Sequence, residues 1–187
     1  MKKPKKEEKP LSGAQDAYEW LQILIVALVT IILVFTFVGR ITPVVGESML
    51  ATLHEGDVML IRDIGYTDPQ PGDIVVLTKE FDAARGPIVK RIIAVEGQTV
   101  DIDYQTGTVY VDGEALDEPY LNEPMEEPWY EDLTSVTVPE GSVFVMGDNR
   151  NHSNDSRDVT LGTVDTRYLL GKAEFICFPF SDFGRIG

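Results

Sequence analysis

A single cysteine, Cys177, among 187 residues excludes an internal disulfide, so the fold must be held by an apolar core, and the thiol is read as free and buried. Two histidines, His54 and His152, with that one cysteine are too few for a closed zinc site. Cations are scarce from residue 39 onward, where 11 Lys plus Arg face 27 Asp plus Glu. Such a surface repels phosphate and argues against nucleic acid as a partner. A solvated acidic exterior names no other partner by itself. Internal repeats are absent, and the one biased tract is the Lys/Glu/Pro tail at residues 2 to 10, too polar to bury and read as disordered.

Charge is also missing from Trp20 to Val38, where only Gln22, Thr30 and Thr36 interrupt an apolar run. A helix of that length crosses roughly 30 Å of hydrocarbon, so residues 20–38 are read as one transmembrane helix. A cleavable leader would have a shorter apolar region and a small-x-small site, which does not occur before Arg40-Ile41-Thr42-Pro43. Lys2, Lys3, Lys5, Lys6 and Lys9 precede the span, whereas Arg40 is the sole cation of residues 39–58. That asymmetry places residues 1–19 in the cytoplasm and residues 39–187 outside.

The external part has the length of one domain. Val- and Ile-rich runs at 58–61, 74–77, 88–95, 99–104, 108–111, 136–138, 143–146 and 173–178, punctuated by Gly, Pro, Asp and Asn, predict a mainly β domain. Gln105-Thr106-Gly107 and Asp112-Gly113 read as turns. Residues 114–135, with three prolines and eight acidic side chains, break the pattern and are read as a connecting excursion or small insertion.

Three polar segments stand out against this framework: Gly46-Glu47-Ser48-Met49-Leu50 just past the span, Lys90-Arg91 inside the run 88–95, and the loop Gly147-Asp148-Asn149-Arg150-Asn151-His152-Ser153-Asn154-Asp155-Ser156-Arg157. A serine needs a base to become nucleophilic. His54 and His152 both fit surface turns better than a Ser-His-Asp triad. Leu50 occupies the place of the second glycine in G-x-S-x-G, which excludes a nucleophile elbow. Lys90 is the better base. Strand alternation puts it on a face with Ile88, Ile92 and Ala94, opposite Val89, Arg91 and Ile93. An ammonium there is disfavoured, and full burial can supply the roughly 4 to 5 kcal/mol needed to bring a lysine pKa from about 10.4 to 7. The bland reading of the same residue is a solvated lysine on an edge strand. The Asp/Asn-rich loop is no EF-hand, since it lacks the required glycine and terminal glutamate.

These three segments, in this order behind one span, resemble the bacterial type I signal peptidases over roughly residues 20–187, with the short single-span form of Gram-positive bacteria as the best likeness. Residues 147–157 match the family's G-D-N-R-x-x-S-x-D-S-R at every fixed position, and Gly72-Asp73-Ile74-Val75-Val76 matches a further Gly-Asp element. The resemblance implies a signal-peptidase/repressor-type β-fold with Ser48 as nucleophile and Lys90 as base. It also implies that Ser153 orients the Lys90 amine, and that Asp148, Arg150, Asp155 and Arg157 support the loop through ion pairs that include Arg91. No cofactor and no metal are implied. The implied partners are signal peptides of exported preproteins and the lipid bilayer, and a monomer in the cell membrane is the default expectation. The chain departs from the family at Ala51, where S-M-x-P-T-L has proline, and at Ala94-Val95-Glu96-Gly97-Gln98, where G-L-P-G-D is common. Two extra residues lie between Arg157 and Gly162, and Gly46 lacks the hydroxyl that some members place near the oxyanion. Two rivals share these features in part. A self-cleaving repressor-type peptidase would need a DNA-binding segment where this chain has a membrane span, and a non-catalytic surface β-domain would not need Ser48, Lys90 and Ser153 together.

Overall fold

The computed structural model describes residues 13–37, 39–81, 83, 86–128 and 132–186. The polar tail and Val38 lie outside the described residues. The chain divides into two compact units, Met1–Val38 and Gly39–Gly187.

The first unit is one helix, α1 (Gly13–Phe37). It starts seven residues before the predicted span, because Gly13–Glu19 carries polar residues that extend a helix without needing hydrocarbon around them. Consecutive apolar residues Ile23, Leu24, Ile25 and Val26 are all exposed, so the helix presents apolar surface on every side and has no single face for a protein core. Thr30 donates its hydroxyl to the carbonyl of Val26 at 2.8 Å, which satisfies that polar group within the helix. The segment is long and apolar enough to cross a membrane.

The second unit is mainly β. Its larger sheet contains β1 (Arg40–Pro43), β2 (Val58–Arg62), β3 (Ile74–Leu77), β4 (Ile88–Val95), β9 (Ser142–Met146), β10 (Val164–Asp165), β11 (Leu169–Phe178) and β12 (Gly184–Arg185). The order is β1-β2-β11-β3-β4-β9-β10, with β12 also on β11. The smaller sheet has the order β7-β6-β5-β8, from β5 (Thr99–Asp103), β6 (Thr108–Val111), β7 (Glu114–Ala115) and β8 (Ser135–Thr137). Neighbouring strands are antiparallel throughout.

All eight Val/Ile runs of the sequence coincide with strands. Strands β1, β7, β10 and β12, two to four residues each, were not foreseen, because so short a segment is extended by its partner and not by its own propensity. Strand β11 begins four residues before the predicted run. Gly171 interrupts the apolar pattern there, and a β-carbon at this glycine would lie 2.8 Å from the carbonyl carbon of Arg62 on β2. The glycine is what lets the two strands close.

Every residue of β3 is buried, with Ile74 and Val76 in one core alongside Met49, Leu53 and Met59, and Val75 and Leu77 in another alongside Ile92 and Val145. Burial on both faces accounts for its unbroken apolar sequence. A third core, with Val100, Ile102, Val109 and Phe144, takes in Met125 from the acidic excursion. Ala94, expected on the Lys90 face, instead joins Ile93 in this third core. The pairing of β4 with β9 shifts register between Ile92 and Ala94, and such a bulge turns the following side chain to the opposite face.

Candidate active site

Ser48 sits in the turn after β1. Met49 and Leu53, both fully buried, pin that turn to the first core, and hydrogen bonds from Leu50 N to Glu47 O and from Leu53 N to Met49 O close it. Ser48 itself is half-buried. The Leu50–Ala51 peptide at the departure from the family motif is cis.

Lys90 lies on β4, an interior strand flanked by β3 and β9, with Val75 as its partner across the ladder. It is 3% exposed, which rules out the solvated edge-strand reading. Its amine donates to Ser48 Oγ at 2.7 Å and to the Val89 carbonyl at 3.0 Å. Burial lowers its pKa to about 8; the nearby Asp155 carboxylate opposes that shift and Arg157 assists it.

Arg91, next along the strand, points toward the polar loop. It grips Asp148 through Nε and Nη2, both at 2.8 Å, and donates from Nη1 to the Gly72 carbonyl at 3.0 Å. Asp148 also receives Thr52 Oγ1 at 2.5 Å. The Gly72-Asp73 element thus meets the lysine strand directly, while Asp73 accepts from Lys172 and Tyr66.

The loop after β9 is ordered by buried charges. Asp155 accepts from Gly147 N at 3.0 Å, from Ser153 Oγ at 2.7 Å and from Arg157 through Nε and Nη2. Burial alone would raise the Asp155 pKa, but Arg157 and these donors hold it below the usual carboxylate value. Arg157 also donates to the carbonyls of Arg150 and Ser153. Arg150 donates from Nε to Gly147 O at 3.0 Å, and its carboxylate partner is Glu118 of the acidic excursion.

The loop and the serine turn are joined by Asn149, whose backbone N–H donates to Ser48 O and whose Nδ2 donates to Glu47 O, both at 3.0 Å. The approach at Gly147 is so close that a β-carbon there would lie 2.5 Å from Ser48 O and 2.6 Å from Ser153 Cβ. The structure therefore gathers Ser48, Lys90, Arg91, Asp148, Arg150, Ser153, Asp155 and Arg157 into one cluster. Sequence reasoning missed Asn149, Thr52, Glu118 and Tyr120 as members. The first two stand inside the quoted motifs and could have been found there, whereas no periodicity or spacing marks Glu118-Pro119-Tyr120.

A small cavity of about 90 Å³ opens beside Ser48 and Lys90, lined also by Val44, Val76 and Ile88. The assembly can support proton transfer from a hydroxyl to a buried amine, next to a space suited to a small apolar group.

Comparison with known proteins identifies the family. The family described as "Signal peptidase, peptidase S26" matches residues 17–178. A probable signal peptidase I-1 of Synechocystis sp. is 40% identical over 90% of this chain and 86% of its own length. The signal peptidase I of Bacillus licheniformis is 35% identical over 94% of this chain and 96% of its own. Among solved structures, a signal peptidase I from Enterococcus faecalis shares 32% identity over 58% of this chain and 98% of that one, with a TM-score of 0.47. With the family's match covering most of the helix and nearly all of the β unit, the chain belongs to the signal peptidases of family S26.

Proposed function

We propose that this chain is a membrane-anchored serine endopeptidase that removes N-terminal signal peptides from exported preproteins with a Ser48–Lys90 dyad. The observation that carries the reading is the 2.7 Å contact between Lys90 Nζ and Ser48 Oγ, made by an amine whose burial brings its pKa to about 8. At and above that pH much of the amine is neutral and can accept the serine proton.

In this mechanism Ser48 Oγ attacks the scissile carbonyl as its proton passes to Lys90. Lys90 then protonates the leaving amine of the mature protein. The resulting acyl-enzyme is hydrolysed by a water that gives its proton to the same lysine. Gly46 offers no side-chain hydroxyl, so the oxyanion rests on backbone donors, with the N–H of Ser48 among them. Ser153, whose hydroxyl donates to Asp155, has the role of orienting the lysine from the loop side, as the family resemblance implies. Asp148, Arg150, Asp155, Arg157 and Arg91 support the loop and do not take part in bond making.

The substrate binds extended beside the free edge of β1, whose Thr42 and Pro43 line the same small cavity as the dyad. That cavity favours a small side chain before the cut, in keeping with small-x-small cleavage sites. The basic residues before the helix support a cytoplasmic N-terminus and an external catalytic domain, residues 39–187. Because Ser48 follows the span by about ten residues, the anchor confines the search to membrane-held substrates. One chain supplies both members of the dyad and the ion pairs around them, which supports a monomer.

The test is cleavage of a preprotein bearing an Ala-x-Ala site by the detergent-solubilised full chain, beside Ser48→Ala and Lys90→Ala. Cutting after the second alanine by the wild type, with both variants inert, is the expected result. Cleavage that survives either substitution would remove the dyad.

A further inference from the structure

The loop motif contains two carboxylates and two guanidiniums that sequence alone would pair among themselves, but the structure distributes them differently. Asp148 is taken by Arg91 and Asp155 by Arg157. Arg150, whose side chain is fully buried, is left to a residue outside the motif. Glu118 pairs with it through both oxygens, with Nη1 at 3.0 Å from Oε2 and Nη2 against Oε1. A buried guanidinium without an anion costs several kcal/mol, so this contact stabilises the closed loop.

Two residues further on, Tyr120 donates its hydroxyl to Glu118 Oε1 at 2.8 Å, and its ring lies under the Arg91 guanidinium at 4.0 Å from the centroid. Burial, then the adjacent Glu118 carboxylate, raises the tyrosine pKa, so it stays a neutral donor. The three-residue segment 118–120 therefore touches both arms of the site. Tyr120 meets the strand arm at Arg91, the neighbour of Lys90. Glu118 meets the loop arm at Arg150, which holds the Gly147 carbonyl, and Gly147 packs without spare room against Ser48 and Ser153.

We infer that Glu118 and Tyr120, carried by the acidic excursion, are positioning residues that set the Lys90 strand and the Ser153 loop at their working separation. This rests on the Ser48–Lys90 reading. The excursion is also stapled to the loop at Asn151, which bonds Glu123, Pro124 and Glu126, but those contacts are exposed, and among the described residues the Asn151 side chain bonds the excursion and not Gly147, Ser48 or Lys90. Glu123 is accordingly the control.

The experiment measures kcat and KM for a fluorogenic Ala-x-Ala peptide with the full chain in detergent, together with the melting temperature. Glu118→Gln is expected to lower kcat on the order of 10- to 100-fold, the scale of a sub-ångström to 1 Å misplacement, with KM within about twofold. Tyr120→Leu falls in the same direction, and Tyr120→Phe, which keeps the ring under Arg91, recovers a large part of the rate. Glu123→Gln leaves kcat unchanged. Because Glu118→Gln leaves a buried charge that could unfold the domain, the double variant Glu118→Gln/Arg150→Met removes both members of the pair. A melting temperature near wild type with kcat still low supports positioning. Recovery of kcat along with stability would overturn it, as would a Glu118→Gln enzyme of normal kcat. Cleavage that persists in Ser48→Ala overturns the dyad and this inference with it, whereas loss in Ser48→Ala with full rate in Glu118→Gln overturns the inference alone.

Discussion

Thr52 and Asp148 stand 96 residues apart and are joined by a hydrogen bond of 2.5 Å, so the helical-like turn that carries the nucleophile is tied to the carboxylate that grips Arg91 beside the base. Each end of this link is fixed independently, Thr52 by the burial of Met49 and Leu53 around it and Asp148 by its two bonds to Arg91. Replacing Thr52 with Val keeps the shape and removes the bond. The expected cost is about 1 to 2 kcal/mol in stability, with a several-fold loss of kcat, read from thermal melts and peptide cleavage. An unchanged kcat would show that the serine turn is held without Asp148.

Gly147 admits no side chain. Gly147→Ala should abolish measurable cleavage while far-ultraviolet circular dichroism still reports a β domain, since the added carbon meets Ser48 O and the Ser153 side chain and not a core strand. Adding Ser153→Gly should fail to restore activity, because the clash with the Ser48 carbonyl persists and the hydroxyl proposed to orient Lys90 is lost as well. Rescue by that second substitution would mean that only the side chain was in the way.

The pH dependence follows from Lys90. With a folded pKa of about 8, kcat/KM should climb with pH and level off above that value. The stability linkage has the matching sign. Between about pH 8 and the unfolded value near 10.5 the unfolded chain binds the extra proton, so stability rises with pH through that window. Below it the folded state carries the penalty of a buried ammonium, and Lys90→Met should be the more stable protein at pH 7, by up to about 3 kcal/mol. That advantage should shrink toward zero above pH 10. A melting curve of Lys90→Met that matches wild type at pH 7 would indicate that the lysine is not desolvated.

Asp155 acts in the opposite sense. Its folded pKa is depressed, so its contribution is present at neutral pH and is lost as pH falls through that depressed value. Asp155→Asn leaves Arg157 buried without its anion and should cost about 3 to 5 kcal/mol. In protein that still folds, the acid limb of the cleavage profile should move to lower pH, because Asp155 favours the charged form of Lys90 and Arg157 disfavours it. A limb that moves upward would contradict this electrostatic assignment.

The apolar span, the strands with strong Val and Ile content and the residue types of the proposed chemistry are legible in the sequence, because hydrophobic periodicity and the loop motif are local properties of the chain. Tertiary structure decided the rest. That Lys90 is a buried amine and not a solvated one depends on β3 and β9 closing over β4, which no window of sequence around residue 90 contains. The bulge that turns Ala94 away from the Lys90 face arises from its pairing with β9. Strands as short as β7, β10 and β12 exist only because a partner offers its edge. The sharing-out of charges was likewise invisible, since the loop motif itself offers Arg150 two carboxylates closer in sequence than Glu118. Only packing shows that Asp148 and Asp155 are already engaged, and a buried guanidinium must then find its anion wherever the fold supplies one.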